Sequence, residues 1–156
     1  MSPVRTNRNR AFSLIELVIV IVIIGIIGAI AIPRMSRGAA GAADSALTAN
    51  LAVLRNSIEL YQTEHEGLYP TVLAFAAELT SYSDIFGGTS ATKTTVFIYG
   101  PYLREVPAIP VGAERGNNGV AAAAGPGIAW IYNETTGQIS ANAAGTDDKG
   151  KAYSAY

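Results

Sequence analysis

The chain has 156 residues, enough for one domain with a modest core. It has no cysteine, which excludes disulfides, thiolate metal sites and a cysteine nucleophile. The formal net charge is −1, but three of the eleven basic residues, Arg5, Arg8 and Arg10, precede the first long apolar run. Without residues 1–11, eight basic residues remain against twelve acidic ones, a balance that argues against nucleic acid as the main partner.

The first predicted element is a membrane-spanning helix from Phe12 to Ile32. Only Ser13 and Glu16 interrupt this apolar run, and about 20 such residues cross a bilayer. Arginines before the run and a polar domain after it predict a cytoplasmic N-terminus and an exported domain. A cleaved signal peptide is one alternative, although the run exceeds the usual length of roughly 7 to 15 residues. An ordinary single-pass anchor is another.

Glu16 is the residue in this run that needs an explanation. An ionisable group inside an apolar span is a functional candidate when a partner for it can be named. A cut between Ala11 and Phe12 would create an amine four residues before Glu16. Pairing of this cationic amine with the glutamate of a neighbouring subunit would favour one axial register, because an unpaired buried charge is costly.

The segment Ala11-Phe12-Ser13-Leu14-Ile15-Glu16, with its apolar helix and Pro33, resembles the prepilin peptidase site of type IV pilins and type II secretion pseudopilins. The resemblance implies that residues 1–11 are a leader, cut after Ala11 where the family usually has glycine. It also implies that Phe12 is N-methylated and that Glu16 is the assembly glutamate.

The same resemblance implies a set of partners and a location. The partners are the prepilin peptidase, a membrane assembly machinery and further copies of the chain in a homo-oligomeric filament. The chain would lie in the bacterial inner membrane before assembly and in a periplasmic or extracellular filament afterwards. A long pilus and a short pseudopilus both remain open.

Residues 34–66 are predicted to continue the assembly helix of residues 12–33. Gly25, Gly28 and Pro33 favour local bending or close helix packing within the first part. In the continuation, apolar residues recur at spacings of three and four, which predicts a buried face; they are Leu47, Leu51, Leu54, Ile58 and Tyr61. Gly67 and Pro70 predict the end of the helix.

Residues 67–156 are predicted to form a globular head. Residues 73–86 indicate a turn or short helix, 87–95 a polar loop, 96–99 a strand, and 128–132 with 138–140 a β-hairpin that buries Trp130 or Ile131. The fold class is therefore α+β, with the second half of the helix packed on a small antiparallel sheet. Gly67-Leu68-Tyr69-Pro70 matches a step common in the family, and Tyr102-Leu103 with Pro107 and Pro110 partly resembles the major pseudopilin.

Few residues suggest chemistry. His65 is the only histidine, and it extends the buried face, so a packing or surface role is predicted and no enzyme is expected. Asp147 and Asp148 offer the oxygen ligands that Ca²⁺ prefers, and both a calcium site and a solvated turn are considered. No other cofactor is expected. The main hypothesis is a filament subunit, and a monomeric membrane-anchored binding module is the alternative.

Overall fold

The computed structural model describes residues 12–156, apart from the side chains of residues 30–37. Its elements are α1 (Leu14–Glu64), α2 (Phe75–Thr80), β1 (Tyr82–Ser83), β2 (Thr89–Ser90), β3 (Gly119–Ala121), β4 (Ile128–Asn133), β5 (Gln138–Ala141) and a short 3-10 helix (Tyr153–Ala155). The predicted α+β class with a long N-terminal helix is confirmed. The chain divides into two units between Ala39 and Ala40.

The first unit contains the start of α1. Large aliphatic side chains point outward on every side of this helix, because each successive residue is turned by about 100° and nearly all are apolar. Exposed fractions range from 38% at Val18 to 80% at Leu14. Across the residues described, no helix combines the length and the apolarity needed to cross a membrane. The side chains of residues 30–32, which end the predicted span, lie outside the description.

The second unit, Ala40–Tyr156, is built on the remainder of α1. The five apolar residues of the predicted stripe are all buried: Leu47, Leu51, Leu54, Ile58 and Tyr61. They share one core with Phe75 and Leu79 of α2 and with Trp130 and Tyr132 of β4. The helical spacing of three and four therefore marks the core face, as predicted.

The end of α1 differs in detail from the predicted glycine cap. Glu66 already has a left-handed φ of 56°, and Gly67 follows with a φ of 89°. The Gly67 N–H donates to the Gln62 carbonyl over 2.9 Å, the long return bond of a Schellman motif. The left-handed turn thus starts one residue earlier, at a non-glycine residue.

The predicted hairpin is confirmed, and its turn lies where expected. β4 and β5 pair antiparallel from Trp130 opposite Ala141 to Asn133 opposite Gln138. Trp130 is fully buried and Ile131 is half-buried, which settles the face of the strand. The Trp130 indole N–H donates to the Pro107 carbonyl over 2.8 Å, so the one polar group of this buried side chain is satisfied.

Two parts of the head differ from prediction. Residues 96–99 do not form a strand; only Tyr99 pairs, with Ser83, because the Thr94 hydroxyl accepts from the N–H groups of Val96 and Phe97 in a turn. β3, in a stretch to which no element was assigned from the sequence, pairs parallel with β4. The sheet of β3, β4 and β5 is therefore mixed. In the separate sheet of β1 and β2, strand β2 lies inside the predicted polar loop of residues 87–95.

Candidate functional site

The start of α1 is the part of the chain to which the sequence analysis assigned a function. Helix begins at Leu14, and the Ser13 carbonyl accepts the first helical bond, from Leu17 N–H over 3.2 Å. Ser13 is thus the N-cap residue. Phe12, outside the helix, has 83% of its surface exposed.

Glu16 lies in the first turn of α1, and its side chain reaches back toward the helix start. The Ser13 backbone N–H donates to Glu16 Oε2 over 2.9 Å. A glutamate at the third helical position that accepts from the N-cap N–H is one half of a capping box. Its negative charge also lies at the positive end of the helix dipole. The sequence signal for this bond, Ser13-x-x-Glu16, was present but not used in the prediction.

The structure describes some of the other residues predicted to act in cleavage and assembly. Phe12 is exposed as stated, whereas Ala11 and the rest of the predicted leader, residues 1–10, lie outside the described residues. Among the described residues, a Cβ atom built at Gly25 or Gly28 would meet no atom within 4 Å beyond the adjoining backbone of its own helix. Neither glycine is therefore required for packing within the chain, and their predicted use in bending or helix contact stays a prediction, as does that of Pro33.

His65 lies in the core of the head. Its Nδ1 is 2.8 Å from the Tyr61 carbonyl, and its Nε2 is 3.0 Å from the Ser83 hydroxyl. Since a carbonyl only accepts, Nδ1 carries a proton, and Nε2 shares a hydrogen bond with the Ser83 hydroxyl. A serine at this distance from a histidine resembles a nucleophile with its base, but both side chains have no exposed surface. Their arrangement serves packing, and Tyr61 stacks on the imidazole at 3.7 Å.

Glu78 is a buried carboxylate that sequence reasoning missed. It has only 4% exposed surface and accepts from the backbone N–H of Thr71 over 2.7 Å and from the Thr71 hydroxyl over 3.2 Å. Burial raises the pKa of Glu78, while the bonds from Thr71 oppose that shift. Its contacts tie α2 to the segment after α1.

The loop considered for calcium is closed by its own hydrogen bonds. Asp147 Oδ1 accepts from the backbone N–H groups of Lys149 and Lys151 over 2.8 and 2.7 Å, and Oδ2 accepts from the Tyr156 hydroxyl. The Tyr156 hydrogen bond is the main cause that lowers the pKa of Asp147. Among the residues that the structure describes, no group of three or more metal-ligating side chains occurs.

Asp44, another residue missed from the sequence, ties this loop to α1. It is nearly buried, with 8% of its surface exposed. It accepts from the Tyr153 hydroxyl over 2.9 Å and from the Asp148 N–H over 3.3 Å. Eleven residues further along α1, Arg55 donates to the carbonyls of Ile139 and Tyr156. The end of the chain is thus held on the helix by two polar anchors.

A cleft of about 690 Å³ lies beside Arg55, between α1, the β4–β5 hairpin and the 3-10 helix. Its walls carry hydroxyl, amide and tyrosine side chains, including Tyr69, Gln138 and Ser154. His65, Glu78 and Ser83, the groups most suggestive of acid–base chemistry, are absent from its lining. The cleft therefore does not assemble a nucleophile with a matched base.

Comparison with known proteins singles out the N-terminal region. Residues 6–32 match the family described as the prokaryotic N-terminal methylation motif. This is the prepilin-type motif of type IV pilins and pseudopilins, and it confirms the resemblance inferred from Ala11 to Glu16. Proteins of this motif are structural subunits. No curated protein matches the chain, and no solved structure does.

Proposed function

We propose that the chain is the precursor of a filament subunit of the pilin or pseudopilin type, which assembles through the first part of α1 after loss of residues 1–11. The match of residues 6–32 to the N-terminal methylation motif carries this proposal. It includes the predicted cut site, Phe12 and Glu16 within one matched stretch.

The exposed start of α1 supports assembly on energetic grounds. Twelve large aliphatic side chains between Leu14 and Ile27 are exposed, and full burial of each contributes about 1.5–3 kcal/mol. Relative to water, covering all twelve is worth of the order of tens of kcal/mol per subunit, so a helix that leaves the lipid must be covered by other helices, whereas between lipid and bundle this term nearly cancels. A bundle of such helices from several copies would cover these side chains.

Glu16 gives the bundle its register. The hydrophobic effect is not directional, so apolar side chains alone allow several staggers between neighbouring helices. A carboxylate among them would dock where the cationic N-terminal amine of a neighbour lies, because a buried charge without a partner is strongly destabilising. One stagger then becomes preferred.

Before assembly, the apolar run of Phe12 to Ile32 would hold the subunit in the bacterial inner membrane, with its N-terminus in the cytoplasm. The prepilin peptidase would remove the leader there, and an assembly machinery would transfer the subunit into a periplasmic or extracellular filament. The arginines before the run support this orientation.

The role proposed is mechanical, without turnover of a substrate. The burial of His65 and Ser83 supports this view, because a substrate has no access to the contact between these two side chains. A monomeric anchored binding module would share the apolar helix but would gain nothing from a charge at Glu16. Filament formation therefore separates the two hypotheses.

Processing is tested by the intact mass of the protein extracted from membranes. We expect a chain that begins at Phe12 and carries one added methyl group. A mature chain that begins at Met1 would contradict the proposal, and one that begins at Ile32 would establish the signal-peptide alternative instead.

A further inference from the structure

The hydrogen bond between Ser13 and Glu16 uses only part of the carboxylate. Oε2 accepts the Ser13 N–H over 2.9 Å, and within the described part of the chain Oε1 has no hydrogen-bond partner. A carboxylate accepts on both oxygens. Glu16 can therefore keep its own cap and accept a second donor at the same time.

We propose that Ser13 is a positioning residue for assembly: its backbone N–H fixes the Glu16 carboxylate so that Oε1 accepts the N-terminal amine of a second copy of the chain. This inference rests on the proposed function. Beyond the pair of Glu16 carboxylate and N-terminal amine, the inference assigns a role to the main-chain N–H of Ser13. The Ser13 hydroxyl has no part in it.

Two physical effects support this role. A free glutamate side chain loses rotamer freedom when it docks, and the bond to Ser13 removes that freedom in advance. The helix starts at Leu14, so Phe12 lies outside it. The amine made by cleavage then lies on chain that no helical hydrogen bond holds, where it is able to reach a neighbour.

The test is a pair of substitutions at one position. Ser13→Pro removes the backbone N–H, whereas Ser13→Ala removes the hydroxyl and keeps the N–H. Both leave Glu16 and Phe12 unchanged. With each full-length variant expressed alike and its mass checked for a start at Phe12, filaments are counted by electron microscopy. We expect Ser13→Ala to assemble within about twofold of the original chain and Ser13→Pro to yield at least about tenfold fewer filaments. Equal yields would overturn the inference.

A second measurement applies even if the peptidase does not cut Ser13→Pro. Amide hydrogen exchange at Ser13 is followed in the full-length precursor, in micelles, for the original chain, Glu16→Gln and Glu16→Ala. We expect exchange about tenfold slower in the original chain and in Glu16→Gln, which keeps an oxygen acceptor, than in Glu16→Ala. Equal exchange in all three would show that the bond is absent and overturn the inference.

Glu16→Gln separates two roles of Glu16, capping of its own helix and charge pairing with a neighbouring subunit. It keeps the hydrogen bond but loses the charge, so a residue that only capped the helix would leave assembly intact. We expect Glu16→Gln to cap and not to assemble. If the original chain itself made no filaments, the proposed function would fail, while the exchange data would still report on the Ser13–Glu16 bond.

Discussion

Gly137 in the hairpin turn offers the sharpest test of the packing of the head. Its φ is 69°, and a Cβ atom there would lie 2.3 Å from Cε1 of Tyr69. Alanine at this position meets two penalties: the left-handed backbone costs about 1–2 kcal/mol, and overlap with a packed ring costs about 1–3 kcal/mol. We therefore expect Gly137→Ala to lower the free energy of unfolding by about 2–5 kcal/mol.

Gly116→Ala separates the two penalties. Gly116 has a φ of 91°, but a Cβ there would meet nothing within 4 Å. This control should lose only the backbone part, about 1–2 kcal/mol. Urea unfolding followed by the fluorescence of Trp130, the only tryptophan and fully buried, measures both variants. Equal losses in Gly137→Ala and Gly116→Ala would refute the contact between Tyr69 and the turn.

Three further predictions concern titration and metal binding. Burial raises the pKa of Glu78 above its ordinary value of 4.5. Its contribution to the free energy of unfolding is therefore present at acid pH and is lost as pH rises through the folded-state pKa. Urea unfolding between about pH 4.5 and 7.5 should show this loss in the original chain and much less of it in Glu78→Gln. The hydrogen bond to Asp147 raises the pKa of Tyr156 to about 12, and burial raises the pKa of Tyr132. The free energy of unfolding, measured in urea, should therefore fall as pH rises above the ordinary tyrosine value of 10.0. Calcium and a chelator should give the same melting temperature, because Asp147 is already occupied by the hydrogen bonds of its own loop; a clear rise with calcium would establish a metal site.

The sequence was informative wherever a local pattern decides the structure. The spacing of Leu47, Leu51 and Leu54 on one helical face fixed the core side of α1, since a period of 3.6 residues allows only one such face. The apolar and aromatic run from Ile128 to Tyr132, followed by turn residues from Asn133 to Gly137, located the hairpin. The motif around Glu16 located the candidate site without any structure.

Local patterns of this kind did not predict the contacts between segments that are distant in the sequence. Glu78 gave no sign that Thr71 would satisfy its carboxylate, and Asp44 gave none that Tyr153, over a hundred residues later, would donate to it. β3 was missed because it is three residues long and includes Gly119, whose lack of a side chain permits close approach to the Gly127 carbonyl. Val96 and Ile98 favoured a strand by their β propensity, and the turn at Thr94 overrode it.

The central claim, that the chain assembles through a charge in its apolar helix, is tested most directly by electron microscopy of cells that express the original chain, Glu16→Ala or Glu59→Ala. Glu59 is an exposed glutamate on the same helix but within the second unit, Ala40–Tyr156, and it serves as the matched control. We predict abundant filaments from the original chain and from Glu59→Ala. Glu16→Ala should be cut at Phe12 and stay anchored but form at least about tenfold fewer filaments, because a neighbour's amine loses its counter-charge. Abundant Glu16→Ala filaments with an unchanged subunit stagger would contradict the account.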